Sequence, residues 1–549
     1  MTEPNNLKPI IPNPVAPDAV DKTIAYHDRT KHQPDRYARG PSNLDWATQP
    51  DPFRRFNGSP VVKLPLADRD DTPPAAILFG VGKVPPQLFT IGTLGLFFEL
   101  SMGLSARKEI PGMSWYLRIN PSSGNLHPTE AYAILLEQAW LPGGGVYHYA
   151  PLEHALEQRA RQSSGGESAA GGFYVGLTSI VWREAWKYGE RAFRYCQHDV
   201  GHALAALRYA AAALGWRVQL MPEWSDAQLA RLLGLDRTED FAGAERETPE
   251  LLVRVMVNET TESASPIPEV PVEWFGRANR LSRSHVEWPV IDQAIATTER
   301  TAPMTVKSVV PGILSPPTPP TCILSAGQLV RQRRSAVDFD RVTGITLEMF
   351  LAILDTTLPR ASVPPFDAWP FPPRLHLVLF VHRVTGLEPG LYLWVRDPAA
   401  ENALRSAFHG VTEWEVPAGL SPTAPLRRLR RGDLRDFARN ASCHQHIAAD
   451  GAFSLGMLAR FEPVLRERGA AAYRELFWEA GMIGHALYLA AEAAGMRGTG
   501  IGCYFDDLLH RTLGLTGHDW QSVYHFTVGF PVEDLRLRTA PPYAHLRPS

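Results

Sequence analysis

Residues Pro121-Ser122-Ser123-Gly124-Asn125-Leu126-His127-Pro128-Thr129-Glu130 stand directly before the apolar run Ala131 to Leu136. Ser122, Ser123 and Asn125 offer short donors and acceptors, Gly124 removes a Cβ that would block close approach, and the two prolines narrow the turn. Such a turn can touch a polar ligand, with His127 as a further contact. Arg331-Gln332-Arg333-Arg334-Ser335 joins guanidinium forks to a hydroxyl, a set able to hold phosphate. Gly500-Ile501-Gly502 lets backbone approach a ligand closely. Lys187 and Tyr188 lie within Trp182 to Arg191, where a desolvated lysine or a tyrosinate can take a proton; the plainer reading is an amphipathic shoulder with packed rings and a snorkelling lysine. Ser442-Cys443-His444-Gln445-His446 and Asp506-Asp507 hold metal-ligand types, but too few converge in sequence, so structural roles and no metal site are expected.

These elements are organised by an internal repeat at an offset of 280 residues. Gly189, Phe193, Arg194 and Gly201 fall on Gly469, Tyr473, Arg474 and Gly481, and Leu233-Gly234-Leu235 falls on Leu513-Gly514-Leu515. Each copy has an Ala- and Leu-rich run of helical character, Val200 to Leu214 and Met482 to Ala494, followed by glycine. Strand candidates are Ala131 to Leu136, Leu251 to Val257, Leu375 to Val381 and Val523 to Gly529. The expected organisation is α+β: one domain over 1–258, a Pro-, Ser- and Thr-rich linker over 259–320, and a second domain over 321–549. Gln162 to Gly172 is expected to form a surface excursion.

The copies differ in complementary ways. Where the second has Gly500-Ile501-Gly502, the first has Leu220-Met221-Pro222; where the first has the serine turn, the second has Pro370-Phe371-Pro372-Pro373-Arg374. At the positions of Lys187 and Tyr188 the second copy carries Glu467 and Arg468. Each copy keeps what the other lacks.

A net charge of −3, from 55 basic and 58 acidic side chains, supplies no field to recruit nucleic acid or an anionic membrane. Four cysteines with no C-x-x-C pair indicate neither a disulfide framework nor zinc, and no run of about 18 apolar residues appears. A cytoplasmic protein with small-molecule or protein partners is expected.

Arg333-Arg334-Ser335 with Phe339, Pro121 to Asn125, and Gly500-Ile501-Gly502 resemble three FMN-contacting elements of the nitroreductase fold. Ser123 to Glu130, Val146-Tyr147-His148-Tyr149 and Lys187-Tyr188-Gly189 resemble the SagB-type dehydrogenases more narrowly, which oxidise peptide azolines to azoles. The resemblance implies tandem nitroreductase-like domains, each a central antiparallel or mixed sheet flanked by helices, forming an intramolecular pseudo-dimer. It implies one FMN held by Arg333, Arg334 and Ser335 and by Gly500, Ile501 and Gly502, and closed over by Pro121, Ser122, Ser123, Asn125 and His127. Arg538, or Arg536, would be a second phosphate ligand, and Lys187 and Tyr188 the catalytic pair. The family often has a basic residue where Val337 stands. The implied reaction is dehydrogenation of a C–H in a heterocycle- or peptide-type substrate by hydride transfer to flavin, with biosynthetic partner proteins alongside. Alternatives are an NAD(P)H-dependent nitro or quinone reductase, which NADPH would bleach rapidly without oxygen, and a flavin-free docking subunit, which would purify colourless.

Overall fold

The computed structural model describes residues 17–141, 144–161, 171–258, 271, 273–302 and 315–546. Most of Gln162 to Gly172 and much of 259–320 lie outside the described residues. Two long helices form the centre. We label α1 (Pro17–Arg29), α2 (Val181–Tyr188), α3 (Ala192–Ala213), α4 (Pro289–Thr297), α5 (Glu462–Arg468) and α6 (Ala472–Ala493). Every residue of α3 is buried, and nearly all of α6, because each packs on a sheet, on flanking helices and on the other. They cross where Gly201 meets Gly481. A Cβ on Gly201 would lie 2.2 Å from the Trp478 carbonyl oxygen, and one on Gly481 2.2 Å from that of His198. A methyl group at either place would force the helices apart, at a cost on the order of 1–3 kcal/mol.

Each long helix serves one sheet. In the first, eight-stranded sheet the spatial order is Glu273–Trp274, Ala155–Arg161, Gly145–Ala150, Thr129–Leu135, Gly172–Ser179, Thr248–Met256 and Arg217–Leu220, with Val61–Lys63 also paired to Ala155–Arg161. In the second, six-stranded sheet it is Leu426–Arg431, Gly390–Trp394, Leu375–Val381, Phe453–Arg460, Trp520–Gly529 and Arg497–Ile501. All pairings in both sheets are antiparallel. The expected strands form, Leu375–Val381 unchanged and the others with boundaries moved by up to three residues, and the expected helices begin eight and ten residues earlier than the apolar runs indicate.

Within the 259–320 tract, the stretch 273–302 folds onto the first half, whereas Ser315 and Thr318 bond to Arg360 and Asp355 of the second. Glu273–Trp274 extends the sheet edge, Arg277–Ala278 pairs with Phe56–Asn57, and α4 packs against α1 and α3. Helices α1 and α4 have exchanged places. Helix α1 precedes the first half but packs against α5 of the second, where His518 Nε2 lies 2.8 Å from Asp28. Matching backbone locks follow them. His32 N–H donates to Asp506 (3.0 Å) and Asp506 N–H to the His32 carbonyl (3.2 Å), while Arg300 and Asp226 repeat the pair at 3.0 and 2.9 Å. Buried Arg194 reaches Asp506 at 2.7 Å and its counterpart Arg474 reaches Asp226 at 2.6 Å. These matched contacts make the chain an internal dimer. Among the described residues no helix is long and apolar enough to cross a membrane.

Candidate functional site

The serine turn, the arginine cluster and the Gly500 to Gly502 strand end meet in one cleft of about 440 Å³ between the halves. Pro121, Ser122, Ser123, Asn125, His127, Tyr188, Arg333, Arg334, Ser335, Gly500, Ile501 and Gly502 all line it. The first half supplies one wall. There Gly124, Asn125 and His127 have φ of +61°, +60° and +52°, a backbone path that needs outside support. The support is local: Ser122 Oγ accepts from His127 N–H (2.8 Å), Asn125 Nδ2 donates to the Tyr116 carbonyl (3.0 Å), and buried Asp199 of α3 accepts from Ser123 N–H (3.1 Å) and Oγ (3.3 Å). His127 Nε2 meets Asn125 Oδ1 at 2.9 Å, and burial holds the imidazole well below its usual pKa, so it is a neutral brace.

The second half supplies the other wall, where Ala336 N–H donates to the Gly498 carbonyl (3.1 Å) and holds the arginine cluster beside the strand. Arg333 is buried at 4% exposure. Its Nη2 donates to the Arg118 carbonyl at 3.2 Å and its guanidinium lies 5.1 Å from the Tyr488 ring centre, but Nε and Nη1 have no partner. Buried N–H groups are normally satisfied, so this guanidinium is set for an anion with at least two acceptor oxygens. Arg334 is otherwise employed, donating to the carbonyls of Arg331 (2.7 Å), Arg333 (2.6 Å) and Ser105 (2.8 Å). Tyr488 Oη meets Ser335 Oγ at 2.9 Å and accepts from Gly500 N–H at 2.9 Å, clamping serine to strand. The glycines are needed from beneath: a Cβ on Gly500 would lie 2.0 Å from Tyr524 Oη, and one on Gly502 2.0 Å from the Tyr195 ring.

Lys187 and Tyr188 end α2 directly over the serine turn. A Cβ on Gly124 would lie 2.5 Å from Tyr188 Oη and 3.0 Å from Lys187 Nζ, so glycine leaves room for both groups. Tyr188 lines the cleft; Lys187 flanks it, with Nζ 5.3 Å from the Tyr188 ring centre. Burial pushes the Tyr188 hydroxyl far above its usual pKa, so it is a phenol and a donor, not a tyrosinate. Glu184, one turn back, is fully buried with neither carboxyl oxygen partnered, and burial raises its pKa strongly.

The structure does not bring Arg538 to the cleft. It opens the strand Arg538–Ala540, its side chain is 81% exposed and its partner is Glu109 at 3.8 Å. Arg536 is likewise exposed and paired with Asp534 at 2.7 Å. Asp506 and Asp507 serve Arg191, Arg194, Lys31 and His510, and among the described residues no three His, Cys, Asp or Glu side chains group as metal ligands. Sequence reasoning missed Asp199, Tyr195, His202, Tyr488 and Tyr524, which also line the cleft. Asp199 had a signal, a carboxylate inside an otherwise Ala-rich buried helix.

The place related by the 280-residue offset keeps the scaffold without the chemistry. Arg374 N–H donates to Glu479 (3.0 Å) as Ser123 N–H does to Asp199, but Arg396 also engages Glu479. Arg468, at the position of Tyr188, pairs with Glu475 at 2.8 Å and lies 4.0 Å from the Phe371 ring centre.

Burial raises the Asp199 carboxyl to about 7, against the lowering effect of nearby Ser122 and of the Ser123 hydrogen bonds. A carboxyl raised in the folded state binds its proton more tightly than in the unfolded chain. Its contribution to stability is therefore full below pH about 4 and lost as pH rises through about 7. Asp199→Asn is expected to flatten the fall in melting temperature between those limits; Glu250, also raised to about 7 by burial, keeps its own share. An unchanged slope would place Asp199 outside that titration.

Residues 113–244 and 330–530, more than half of the chain, match the profile of the Nitroreductase family. A curated relative, the microcin B17-processing protein McbC of Escherichia coli, is 29% identical over 131 residues, 21% of this chain and 48% of McbC. The chain thus spans about half the length of that relative. A crystal structure from Anabaena variabilis, described as a candidate nitroreductase, is 22% identical with a TM-score of 0.67, over 93% of this chain and 99% of its own, which establishes the shared fold. A chain of the E. coli microcin synthetase McbBCD complex with truncated pro-MccB17 bound matches 45% of this chain and 96% of its own, at 19% identity and a TM-score of 0.26. With the profile matched once in each half, around the two sheets and the cleft between them, the chain belongs to the Nitroreductase family.

Proposed function

We propose that the chain is an FMN-dependent dehydrogenase of SagB type that takes hydride from a C–H beside a heteroatom in a heterocycle formed on a peptide. The carrying observation is Arg333, a buried guanidinium with two unpartnered N–H groups in a cleft whose walls come from both halves. The residues fit FMN: Arg333 satisfies phosphate oxygens, and the 440 Å³ cleft falls in the range of cofactor pockets. When bound there, FMN supplies a two-electron hydride acceptor. Arg333 anchors the anion, Tyr488 holds Ser335 and the strand in register, and the Ser122 to Asn125 turn closes the opposite side. Tyr188 orients substrate by donating its phenolic proton in a hydrogen bond, and Lys187 Nζ takes the proton that the substrate releases.

The relation to McbC, named for processing microcin B17, supports a modified-peptide substrate and biosynthetic partner proteins. We further propose that 1–258 and 321–549 are the two nitroreductase-like domains, with α4 in the intervening tract as the leading helix of the second. Purified protein should be yellow and release one FMN per chain on denaturation. Two FMN per chain, or flavin bleached rapidly by NADPH without oxygen, would replace this reading with a symmetric enzyme or with a reductase.

A further inference from the structure

Two cysteines that the proposed reaction leaves unused meet in the wall of the cleft. Cys503 directly follows Gly502 and lines the cleft; Cys443 sits on a separate turn beside it, and both are partly exposed. The two turns are tied by Phe505 N–H donating to the Ala441 carbonyl (2.8 Å) and by Gln445 Nε2 donating to the Cys503 carbonyl (2.9 Å). Cys443 and His444 have φ of +52° and +61°, left-handed at two successive non-glycine residues. Such backbone persists only where its surroundings impose it, and it clusters at functional segments.

The two turns bring the thiols close enough to act on each other, and Cys503 also feels the buried His32 imidazole. Ala38 N–H donates to His32 Nδ1 at 2.9 Å, which leaves the ring proton on Nε2 as the donor toward sulfur. Arg191 adds a positive charge one residue away, donating to the Gly502 carbonyl at 3.2 Å. Neighbouring Cys443, His32 and Arg191 pull Cys503 down to about 5, while Cys503 and burial push Cys443 up. A sulfur drawn toward the thiolate beside one that holds its proton is the arrangement of an attacking and a resolving cysteine.

We propose that Cys443 and Cys503 are a redox-active dithiol that hydrogen peroxide closes to a disulfide in the cleft wall. The Cys503 thiolate attacks one peroxide oxygen, the O–O bond breaks and hydroxide leaves, giving a sulfenic acid at Sγ of Cys503. Cys443 sulfur then attacks that sulfur and displaces its hydroxyl as water. Two thiols lose two electrons and two protons, and one peroxide becomes two waters. The bond would pin the Gln445 side of the cleft to Gly502, so peroxide in the surroundings would reset the shape of the site.

The test uses the full chain, reduced, treated with one equivalent of hydrogen peroxide and alkylated with iodoacetamide. Expected are a mass loss of about 2 Da per chain before alkylation and a linked peptide pair containing Cys443 and Cys503, both reversed by dithiothreitol. Cys443→Ser should leave a sulfenic acid on Cys503 that dimedone traps, and Cys322→Ser should change nothing. Wild-type protein that keeps both thiols alkylatable after peroxide, or that oxidises Cys503 without linking it to Cys443, would overturn the proposal. That readout comes from unmutated protein and needs no flavin, so it is independent of variant folding and of the proposed reaction.

Discussion

Arg333→Met is expected to purify colourless and to bind added FMN about 100-fold or more weakly, while its apo form unfolds at no lower temperature than the wild type. The first part follows from charge-assisted hydrogen bonds, each worth roughly 1.5–3 kcal/mol, so that losing two costs on the order of 100-fold or more in affinity. The second part follows from the environment. Without an anion the guanidinium is buried with Nε and Nη1 unpartnered, held by one bond to the Arg118 carbonyl and by the face of Tyr488. A buried charge so poorly compensated opposes folding, and a methionine of similar length can fill the space against the ring. Arg334→Met should behave in the opposite way, because its guanidinium braces three backbone carbonyls. Fluorescence titration with FMN and thermal unfolding of the same preparations decide the matter. Undiminished affinity in Arg333→Met would move the phosphate elsewhere.

Lys187→Ala and Tyr188→Phe are each expected to retain flavin and lower turnover by about 100-fold or more, the usual size of a lost proton-transfer group. Both polar ends stand where Gly124 has no side chain, on the wall opposite Arg333, so neither substitution removes an anion contact. Tyr188 keeps its proton because it is buried, so its loss should lower the rate across the whole pH range. Single-turnover rates of flavin reduction, measured without oxygen, check both. Rates within a few-fold of wild type would take the pair out of the chemistry.

Much of this architecture was legible because it is written in local chemistry. The 280-residue offset, the paired Ala-rich runs and the complementary motifs need only side-chain type and spacing, and the cleft does unite the three separated elements. What stayed hidden depends on burial across distance. The opening turns of α3 carry Arg194, Gln197 and His198, polar residues that are buried against Asp506, Trp478 and Val523 of the other half, so the helix appeared to start at Val200. Helix α4 was hidden in the same way, inside a Pro- and Thr-rich stretch, because its partners α1 and α3 lie far away in sequence. Arg538 stands outside the cleft because its strand lies at an edge with the side chain exposed, which sequence cannot tell. The glycines at 500 and 502 do line the cleft, but tyrosines packed beneath them, one from each half, explain their size.

The crossing of α1 onto the second half sets a timetable for biogenesis. Asp28 finds His518 across a separation of 490 residues, so at typical translation speeds of about 5–20 residues per second the leading helix waits roughly 25 to 100 s for its berth to be synthesised. Until that final stretch leaves the ribosome, α1 lacks its second-half cover, although Phe193 and α4 can already meet it. A pause or truncation late in translation would therefore leave part of an early segment uncovered as well as a late one.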